Sequence, residues 1–342
     1  MKIDIYAHFL PQKYHDALQK QLGRPYPLVE ANPAIMDLDY RLRTMDKYDD
    51  LVQVLIPAGP PLEAVAEPKE AARLAQIAND SMAELVVKHP DRFIAAVALV
   101  ATNDIDAALK EIDRAVNELK FRGVLMFTPQ YVFDAGKAGI LPKDTKPIDI
   151  PDLMPLYEKM VEYNLPIWIH PMTTDIFADY TTENRSKYRV WQIFGWPYHT
   201  TAAMTRLVFS GVLDKYPGIK FITHHAGAMV PFFERRISVQ YDYDEMRYGN
   251  KDKQGLREMP IDYFRMFYND TALSGSTAAL MCAYSFFGAG HLLFGTDMPH
   301  DCQLGELSIR DTIKSIEQME ISDSEKKAIF EDNARKLLRL PI

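Results

Sequence analysis

The sequence predicts an α/β protein that folds as a (β/α)₈ TIM barrel, and two observations support this prediction. The first is alternation: short runs of apolar residues recur along the chain, and longer amphipathic stretches separate them. Continuous apolar runs are typical of parallel strands that are buried on both faces. The second is number: eight such runs occur in 342 residues, which favours closure into a barrel over an open sheet.

The predicted elements follow in chain order. The strands are short and mostly apolar, and they span residues 3–7, 52–56, 93–100, 123–127, 165–169, 219–223, 267–269 and 292–294. Helical spacing of apolar residues predicts five helices between them, at 70–88, 104–119, 152–163, 200–209 and 274–286. The tail from 304 to 340 predicts two or three extra C-terminal helices that pack outside the barrel.

Two connecting segments interrupt the regular alternation. Residues 128–149 are rich in Gly, Pro and Lys, and residues 171–188 are polar and aromatic. Both follow strands, and the loops that follow barrel strands build the active sites of such folds. Because the sequence contains no internal repeat, low-complexity tract or linker, we expect one domain over residues 1–342.

Composition excludes several classes of partner. The formal net charge is −8 and no basic stripe is present, so we expect no nucleic-acid partner. No apolar run reaches the roughly 18 residues that span a membrane, so none is expected to insert. The two cysteines, Cys282 and Cys302, form no CxxC motif, which indicates neither a disulfide framework nor a thiolate metal site. We therefore expect a soluble, cytoplasmic protein.

Polar residues with metal-binding or acid–base capacity follow several of the predicted strands. They are His8, His170, the pair His224 and His225, and Asp297. Each alone fits a structural residue or a turn cap. In a closed barrel, however, side chains at the carboxyl ends of the strands converge on one small volume. Imidazoles and a carboxylate gathered there predict a divalent-metal site with one group left over as acid or base.

These residues lie in motifs that resemble a known family. The motifs run in order along nearly the whole chain: IDIYAHFLP at 3–11, LPIWIH at 165–170, LVFSGVLDKYP at 207–217, FITHHAG at 221–227 and LFGTDMP at 293–299. The sequence is similar to the amidohydrolase-related family that contains the aminocarboxymuconate-semialdehyde, γ-resorcylate and 5-carboxyvanillate decarboxylases. The resemblance implies an amidohydrolase-type barrel.

The resemblance also implies roles for single residues. His8, His170 and Asp297 fall on the metal-ligand positions of the family, and His225 falls on its acid–base histidine. The adjacent His224 is the alternative for the acid–base role. Arg236, eleven residues past His225, falls where the semialdehyde decarboxylase has an arginine that grips a substrate carboxylate, in some cases across a subunit boundary. Arg236 equally fits a surface ion pair.

The first strand departs from the family pattern, because Tyr6 stands where relatives have a His or Glu ligand. A neutral phenol with a pKa near 10 is a poor ligand, so Tyr6 is expected to act as a hydrogen-bond or proton donor. Three protein ligands still suffice for catalytic zinc. We expect zinc, with manganese, magnesium or no metal as alternatives. A second departure is His199, where relatives often carry Glu.

The resemblance implies non-oxidative decarboxylation of a small aromatic or unsaturated carboxylic acid. The site would need an acid such as His225 to protonate the carbon, and Asp297 is the alternative acid or base. A metal, or Arg236 and Tyr6 without one, would hold the carboxylate, and the apolar walls would come from Phe9, Trp168, Trp196 and Phe294. Metal-dependent hydrolysis of a lactone, amide or C–C bond is the alternative, and a non-catalytic barrel with a decayed site is the third. The expected partners are a small carboxylate substrate and further copies of the chain, as a homodimer or homotetramer.

Overall fold

The computed structural model describes residues 1–134, 144–249 and 256–341. Its strands are β1 Lys2–Phe9, β2 Leu51–Pro57, β3 Phe93–Ala96, β4 Ala98–Leu99, β5 Val124–Thr128, β6 Gln130–Tyr131, β7 Thr145–Lys146, β8 Ile167–Pro171, β9 Phe221–Thr223 and β10 Tyr268–Asn269. All except β6 and β7, which pair antiparallel, belong to two parallel sheets in the orders β1-β2-β3 and β10-β9-β8-β5-β4.

The two parallel sheets join into a closed ring. On one side, β3 and β4 are separated only by Val97, so the run 93–99 pairs with β2 in one sheet and with β5 in the other. On the other side, residues 292–294 bond both neighbours: the Leu293 N–H donates to the Asn269 carbonyl at 2.8 Å, and the Ile5 N–H donates to the Phe294 carbonyl at 2.9 Å. Eight strand positions therefore close the predicted barrel.

Two of the predicted strands differ from the observed ones. The run predicted at 93–100 is divided at Val97, where the chain changes partner strands. The run predicted at 292–294 is bound to β10 through an isolated bridge, Asn269 to Leu292, rather than through a continuous ladder, and a second isolated bridge, Ala7 to Met298, follows the run. Both differences arise where the two sheets join to close the barrel. At these positions the strand forms only a few consecutive hydrogen bonds with each of its two neighbours.

Helices cover the outside of the ring and fill the connections. They are α1 Gln12–Leu22, α2 Pro27–Ala31, α3 Leu38–Met45, α4 Leu62–Val65, α5 Pro68–Lys88, α6 Ile105–Asn117, α7 Met154–Tyr163, α8 Val190–Ile193, α9 Gly195–Phe209, α10 Val212–Lys215, α11 Glu234–Tyr248, α12 Pro260–Phe264, α13 Thr277–Phe287, α14 Glu306–Glu317, α15 Asp323–Lys327 and α16 Asn333–Leu337. A π-helical turn, Ala328–Asp332, joins the last two.

Helix boundaries follow capping chemistry more closely than apolar spacing does. The Asp104 carboxylate accepts from the Ala107 N–H, so α6 begins at Ile105. The Ser276 hydroxyl accepts from the Ala279 N–H and starts α13 in the same way. All five helices predicted between the strands are present with shifted ends, and the tail contains the predicted helices as α14, α15 and α16. The spacing missed α11, none of whose residues is buried, and it also missed α1, which buries Tyr14, His15 and Leu18.

The barrel interior is filled below the strand ends. Trp168 on β8 is fully buried, and its indole N–H donates to the carbonyl of Ile5 on β1 at 3.2 Å, although β8 and β1 are not neighbours. A side chain that bonds across the ring leaves no channel at this level, so only the ends of the strands are open to a ligand.

The two long loops flank the carboxyl ends of the strands. Within the first, predicted at 128–149, β6 pairs with β7, while residues 135–143 lie outside the described part of the chain. The second, at 171–188, contains turns tied by Asp179, whose carboxylate accepts from the Ser186 hydroxyl at 2.6 Å and from the Lys187 N–H at 2.8 Å. Within the described ranges, no helix is both long and apolar enough to cross a membrane.

Candidate metal centre and active site

Four side chains meet at the carboxyl ends of the barrel strands: His8 from β1, His170 from β8, His224 directly after β9, and Asp297 after the run 292–294. We call these four residues the mouth cluster. One ring nitrogen from each histidine lies within 4.8 Å of the other two. Asp297 Oδ1 lies 3.3 Å from His8 Nε2 and 3.4 Å from His224 Nε2. The cluster joins residues far apart in sequence.

His170 is oriented by its own strand end. Its Nδ1 lies 2.6 Å from the Pro171 carbonyl, and because a carbonyl only accepts, Nδ1 carries the proton. Nε2 then keeps its lone pair, as a metal ligand requires. Burial lowers the pKa of His170 well below its usual value, and the neighbouring His8 and His224 lower it further. His170 is therefore neutral near pH 7.

His224 is oriented by a buried carboxylate. Its side chain is fully buried, its Nδ1 bonds to Asp270, and its Nε2 has no hydrogen-bond partner. Its ring stacks on that of Tyr6, with centroids 4.1 Å apart and an interplanar angle of 10°. Burial alone lowers the pKa of His224, but Asp270 and Asp297 outweigh it and raise the pKa to about 10. Without a metal ion, His224 is therefore an imidazolium.

His225 lies beside the mouth cluster in a left-handed turn. Its φ is 59°, and Ala226, Gly227 and Ala228 also have positive φ. Its ring centroid is 3.8 Å from that of His224, and its Nδ1 is buried without a partner. Burial, followed by the charge of His224, lowers the pKa of His225 to about 4. His225 is thus a neutral imidazole with a free nitrogen at the site.

Asp297 stays ionised although it is partly buried. Burial raises the pKa of this carboxyl, but the charge of His224 and the close approach of the His224 and His8 Nε2 atoms, at 3.4 and 3.3 Å, lower it well below the usual value. Its backbone also takes a positive φ, 61°, and its N–H donates to the Tyr6 carbonyl at 2.9 Å. This bond across the barrel seam fixes the carboxylate against the first strand.

Tyr6 occupies the inward-facing position two residues before His8. It is fully buried, and its hydroxyl has no hydrogen-bond partner. Burial, together with the carboxylates of Asp270 and Asp297, raises the pKa of Tyr6 well above its usual value. Tyr6 is therefore a neutral phenol with an unused hydrogen-bond donor close to the mouth cluster.

A buried polar network supports the first strand from below. The Asp4 carboxylate accepts from the Thr296 N–H at 3.0 Å, the Thr296 hydroxyl at 2.7 Å and the Gln53 amide at 3.2 Å. The Gln53 carbonyl accepts from Arg41 at 2.8 Å, and Arg41 also donates to the His8 carbonyl. Arg41 and Asp4 are fully buried. The network links the backbone on both sides of the barrel seam.

Two sequence candidates lie outside the mouth cluster. Arg236 is exposed on α11 and makes no ion pair with any described residue. His199, near the start of α9, lines a separate surface cavity of about 260 Å³ together with Thr128 and Arg206. A role for Arg236 at the site stays a prediction, which a single chain does not test.

Of the four aromatic residues expected as walls, one contacts the mouth cluster. Trp196 packs edge-on against His170, with ring centroids 5.7 Å apart. Phe127, which was not expected as a wall, also contacts His170, with ring centroids 5.4 Å apart. Phe9 and Phe294 are buried core residues that contact Arg41 and Phe330 respectively, and Trp168 fills the barrel interior.

Two polar residues at the site were missed by the sequence analysis. Asp270 directly follows β10, whose end at Asn269 is also the end of the strand predicted at 267–269, so the rule that strand ends converge was sufficient to include it. His300 is exposed three residues past Asp297, and its ring centroid lies 5.2 Å from that of His8. A nitrogen of His300 is also within 4.8 Å of the ligand atoms of His8 and Asp297.

The donor set fits a divalent metal ion. Imidazole nitrogen and carboxylate oxygen are both ligands of zinc and manganese. The Nε2 atoms of His8 and His224 are buried and lack hydrogen-bond partners, which is costly unless something else binds them. The described residues thus include groups able to hold one divalent ion at the barrel mouth.

Comparison with known proteins finds relatives that align over most of the chain. A γ-resorcylate decarboxylase from Polaromonas sp. is 28% identical over 313 residues, covering 91% of this chain and 90% of the relative. A 6-methylsalicylic acid decarboxylase from Penicillium expansum is 26% identical over 299 residues, covering 87% and 85%. The structure of a dihydroxybenzoic acid decarboxylase from Polaromonas sp., with manganese and the inhibitor 2-nitroresorcinol, matches with a TM-score of 0.79 and 26% identity, over 100% of this chain and 97% of that one. The amidohydrolase family model matches residues 3–340, so the chain belongs to the amidohydrolase family.

Proposed function

We propose that this protein is a metal-dependent, non-oxidative decarboxylase of a small aromatic carboxylic acid. The observation that carries the proposal is the mouth cluster, where buried imidazoles and an ionised carboxylate converge at the open end of the barrel. Relatives that align over most of the chain are decarboxylases of hydroxylated or methylated benzoic acids, which favours decarboxylation over the hydrolytic alternative.

The metal is held by His8, His170 and Asp297, the ligands that the family resemblance implies. Manganese occurs in the similar Polaromonas structure, and zinc suits the same donors. A bound divalent ion would supply a Lewis acid for the substrate carboxylate and an adjacent hydroxyl oxygen. The side chains of the protein perform the remaining steps.

The reacting carbon must be protonated before CO₂ leaves, because direct loss of CO₂ from an aromatic ring would leave an unstabilised aryl carbanion. His225 is the proposed proton donor, and Asp297 would be the alternative only if it did not bind the metal. A bound substrate carboxylate would favour the protonated form of His225, because an opposite charge nearby stabilises the imidazolium. The proton moves from the imidazole to the ring carbon, and the C–C bond then breaks with its electron pair returning to the ring.

Binding groups surround the reacting atoms. The free hydroxyl of Tyr6 would donate to a substrate oxygen, and Trp196 and Phe127 would pack against an aromatic ring. Arg236, exposed on α11, would reach the carboxylate of a substrate in a neighbouring copy, which requires a homodimer or homotetramer. Free thiols at Cys282 and Cys302 suit a single-domain enzyme of the cytoplasm.

Product analysis tests the proposal. Purified protein loaded with Mn²⁺ or Zn²⁺ is incubated with hydroxybenzoates that carry a hydroxyl ortho to the carboxylate, including 2,6-dihydroxybenzoate. We expect equal amounts of CO₂ and the corresponding phenol, with one deuterium at the former carboxyl position when the reaction runs in D₂O. His225→Asn should abolish turnover while His89→Gln, remote from the mouth cluster, retains it. Formation of a ring-opened or hydrolysed acid without CO₂ would favour the hydrolase instead.

A further inference from the structure

The mouth cluster contains His224, a candidate metal ligand to which the family pattern assigns no such role. The family takes two ligands from its first strand, and this chain keeps one of them, His8. At the other position, the ring of Tyr6 lies flat against the ring of His224 at 4.1 Å. A neutral phenol is a poor ligand for a divalent ion, so the first strand supplies one donor fewer than usual. A donor from another strand end can therefore restore a four-ligand site.

His224 is placed to supply the missing donor. Among the described residues, it is the histidine whose nitrogen lies within 4.8 Å of ligand atoms of both His8 and His170. Its Nε2 is fully buried, has no hydrogen-bond partner and lies 3.4 Å from Asp297 Oδ1. His225 groups with His224 and Asp297 but not with the other two histidines, and its ring instead lies over that of His224.

The spacing matches the edges of a coordination sphere. Ligand atoms about 2.1 Å from one ion lie about 3.0 to 3.4 Å apart when adjacent and about 4.2 Å apart when opposite. Asp297 Oδ1 is 3.3 Å from His8 Nε2 and 3.4 Å from His224 Nε2. The ligand nitrogens of the three histidines lie within 4.8 Å of one another, which places all four donors around one small volume.

Asp270 holds His224 in the required orientation. One oxygen of Asp270 bonds His224 Nδ1, and the other accepts from the N–H groups of Ala226 and Ala272, each at 3.0 Å. Asp270 is fully buried, so its carboxylate cannot turn away to water. A carboxylate on the far nitrogen fixes the tautomer of a metal-binding histidine and makes it a stronger ligand. Asp270 is therefore a positioning residue.

We propose that His224 Nε2 is the fourth protein ligand of the metal, replacing the first-strand ligand that Tyr6 cannot provide. The inference rests on the proposed function only in requiring that a divalent ion binds at the barrel mouth. The ligands are then His8, His170, His224 and Asp297, one from each of four strands, while His225 remains free for proton transfer.

Metal affinity separates the two adjacent histidines. Metal-depleted full-length protein is titrated with Co²⁺ and Mn²⁺ against a chelating dye, and the Co²⁺ absorption spectrum reports the ligand set. His224→Ala should weaken metal binding at least about 100-fold and change the spectrum. Loss of a carboxylate that only orients a ligand reduces metal affinity about 10- to 100-fold, and loss of the ligand itself should reduce it more. His225→Ala, the matched control, should bind with near-parental affinity although it loses activity.

Rescue gives a readout that a merely structural role would not produce. Tyr6→His combined with His224→Ala returns an imidazole to the first strand, and we expect it to regain most of the lost affinity. Tyr6→Phe alone should bind metal as the parent does. Should His224→Ala not fold, Asp270→Asn provides the second measurement, with an expected loss of about 10- to 100-fold.

The outcomes distinguish this inference from the proposed function. If His224→Ala keeps parental affinity and spectrum while the parent binds metal and releases CO₂, the His224 assignment is overturned and the decarboxylase stands. If the parent binds metal through His224 but releases no CO₂ from any hydroxybenzoate, the ligand assignment stands and the decarboxylase fails. A parent protein that takes up no divalent metal overturns both.

Discussion

The buried amide of Gln53 allows a quantitative test of how this barrel supports its site. Gln53 lies on β2 and is fully buried. Its carbonyl accepts from Arg41 at 2.8 Å, and its NH₂ group donates to Asp4 at 3.2 Å. Burial lowers the pKa of Arg41 to about 10 and raises the pKa of Asp4, which means that burial destabilises the charged form of both side chains. Gln53 connects the buried cation to the buried anion.

The substitution Gln53→Met keeps the length of the side chain and removes both hydrogen bonds. One N–H of Arg41 and one oxygen of Asp4 then lose a partner in a site that water does not reach. Hydrogen bonds to charged groups contribute about 1.5–3 kcal/mol each, so the two together predict a loss of about 3–6 kcal/mol in the free energy of unfolding. This is a large fraction of the stability of an ordinary domain.

The same substitution should weaken metal binding. Arg41 donates to the His8 carbonyl, and Asp4 accepts from the Tyr6 N–H at 3.1 Å and from the Thr296 N–H at 3.0 Å. These backbone groups carry His8 and Asp297 on opposite sides of the barrel seam. Loss of such supporting contacts reduces metal affinity about 10- to 100-fold.

Urea unfolding of the metal-free protein measures the first effect, because bound metal would itself add to the apparent stability. Gln76→Met on the exposed face of α5 is the matched control and should change stability by no more than about 0.5 kcal/mol. A loss below about 1 kcal/mol for Gln53→Met, with an unchanged dependence on urea concentration, would refute the idea that Gln53 stabilises the two charges.

Three further predictions concern the turn after β9 and the metal. Burial lowers the pKa of His225 to about 4, so its contribution should be fully present above pH 6.5 and the metal-free protein should lose up to about 3 kcal/mol as the pH falls from 6.5 to 4; urea unfolding of His225→Asn should show a flatter profile over this range, and an unchanged profile would contradict the assignment. Gly227→Ala places a Cβ 2.6 Å from the Phe287 ring at φ 75° and should cost at least about 2 kcal/mol by urea unfolding, whereas Gly218→Ala, at φ 93° with nothing within 4 Å, should cost about 1 kcal/mol; equal losses would contradict the clash. Chelation should abolish CO₂ release and lower the melting temperature, and Mn²⁺ at 100 times its dissociation constant should restore about 2.7 kcal/mol; activity that survives chelation would remove the metal from the reaction.

Much of the barrel could be predicted from the sequence, because burial on both faces leaves a direct trace in the order of residues. Strands that must be apolar throughout stand out between amphipathic helices, and eight of them were found in order. Some helices were missed, and one of them lacks such a trace. Helix α11 buries none of its residues, so its sequence carries no apolar period. Residues 292–294 were recognised as a strand, although only closure of the ring explains their isolated bridge to β10.

The candidate site divides in the same way. His8, His170 and Asp297 could be chosen because each stands at the carboxyl end of an apolar run, and ring closure brings such ends together. Which of the adjacent His224 and His225 faces the other histidines depends on strand register and on a left-handed turn, and a slip of one residue would exchange them. No local pattern encodes that choice.

The sequence by itself determined the fold class, the strand order and the chemical types gathered at the barrel mouth, since these follow from periodicity and from the rule that parallel strands end together. Only the tertiary structure decided that Tyr6 stacks on His224, that Asp270 orients the imidazole, and that Asp4, Gln53 and Arg41 hold the seam. Hydrogen bonds and ring contacts join atoms within a few ångströms, and residues from 12 to 218 positions apart reach that distance only when the chain has folded.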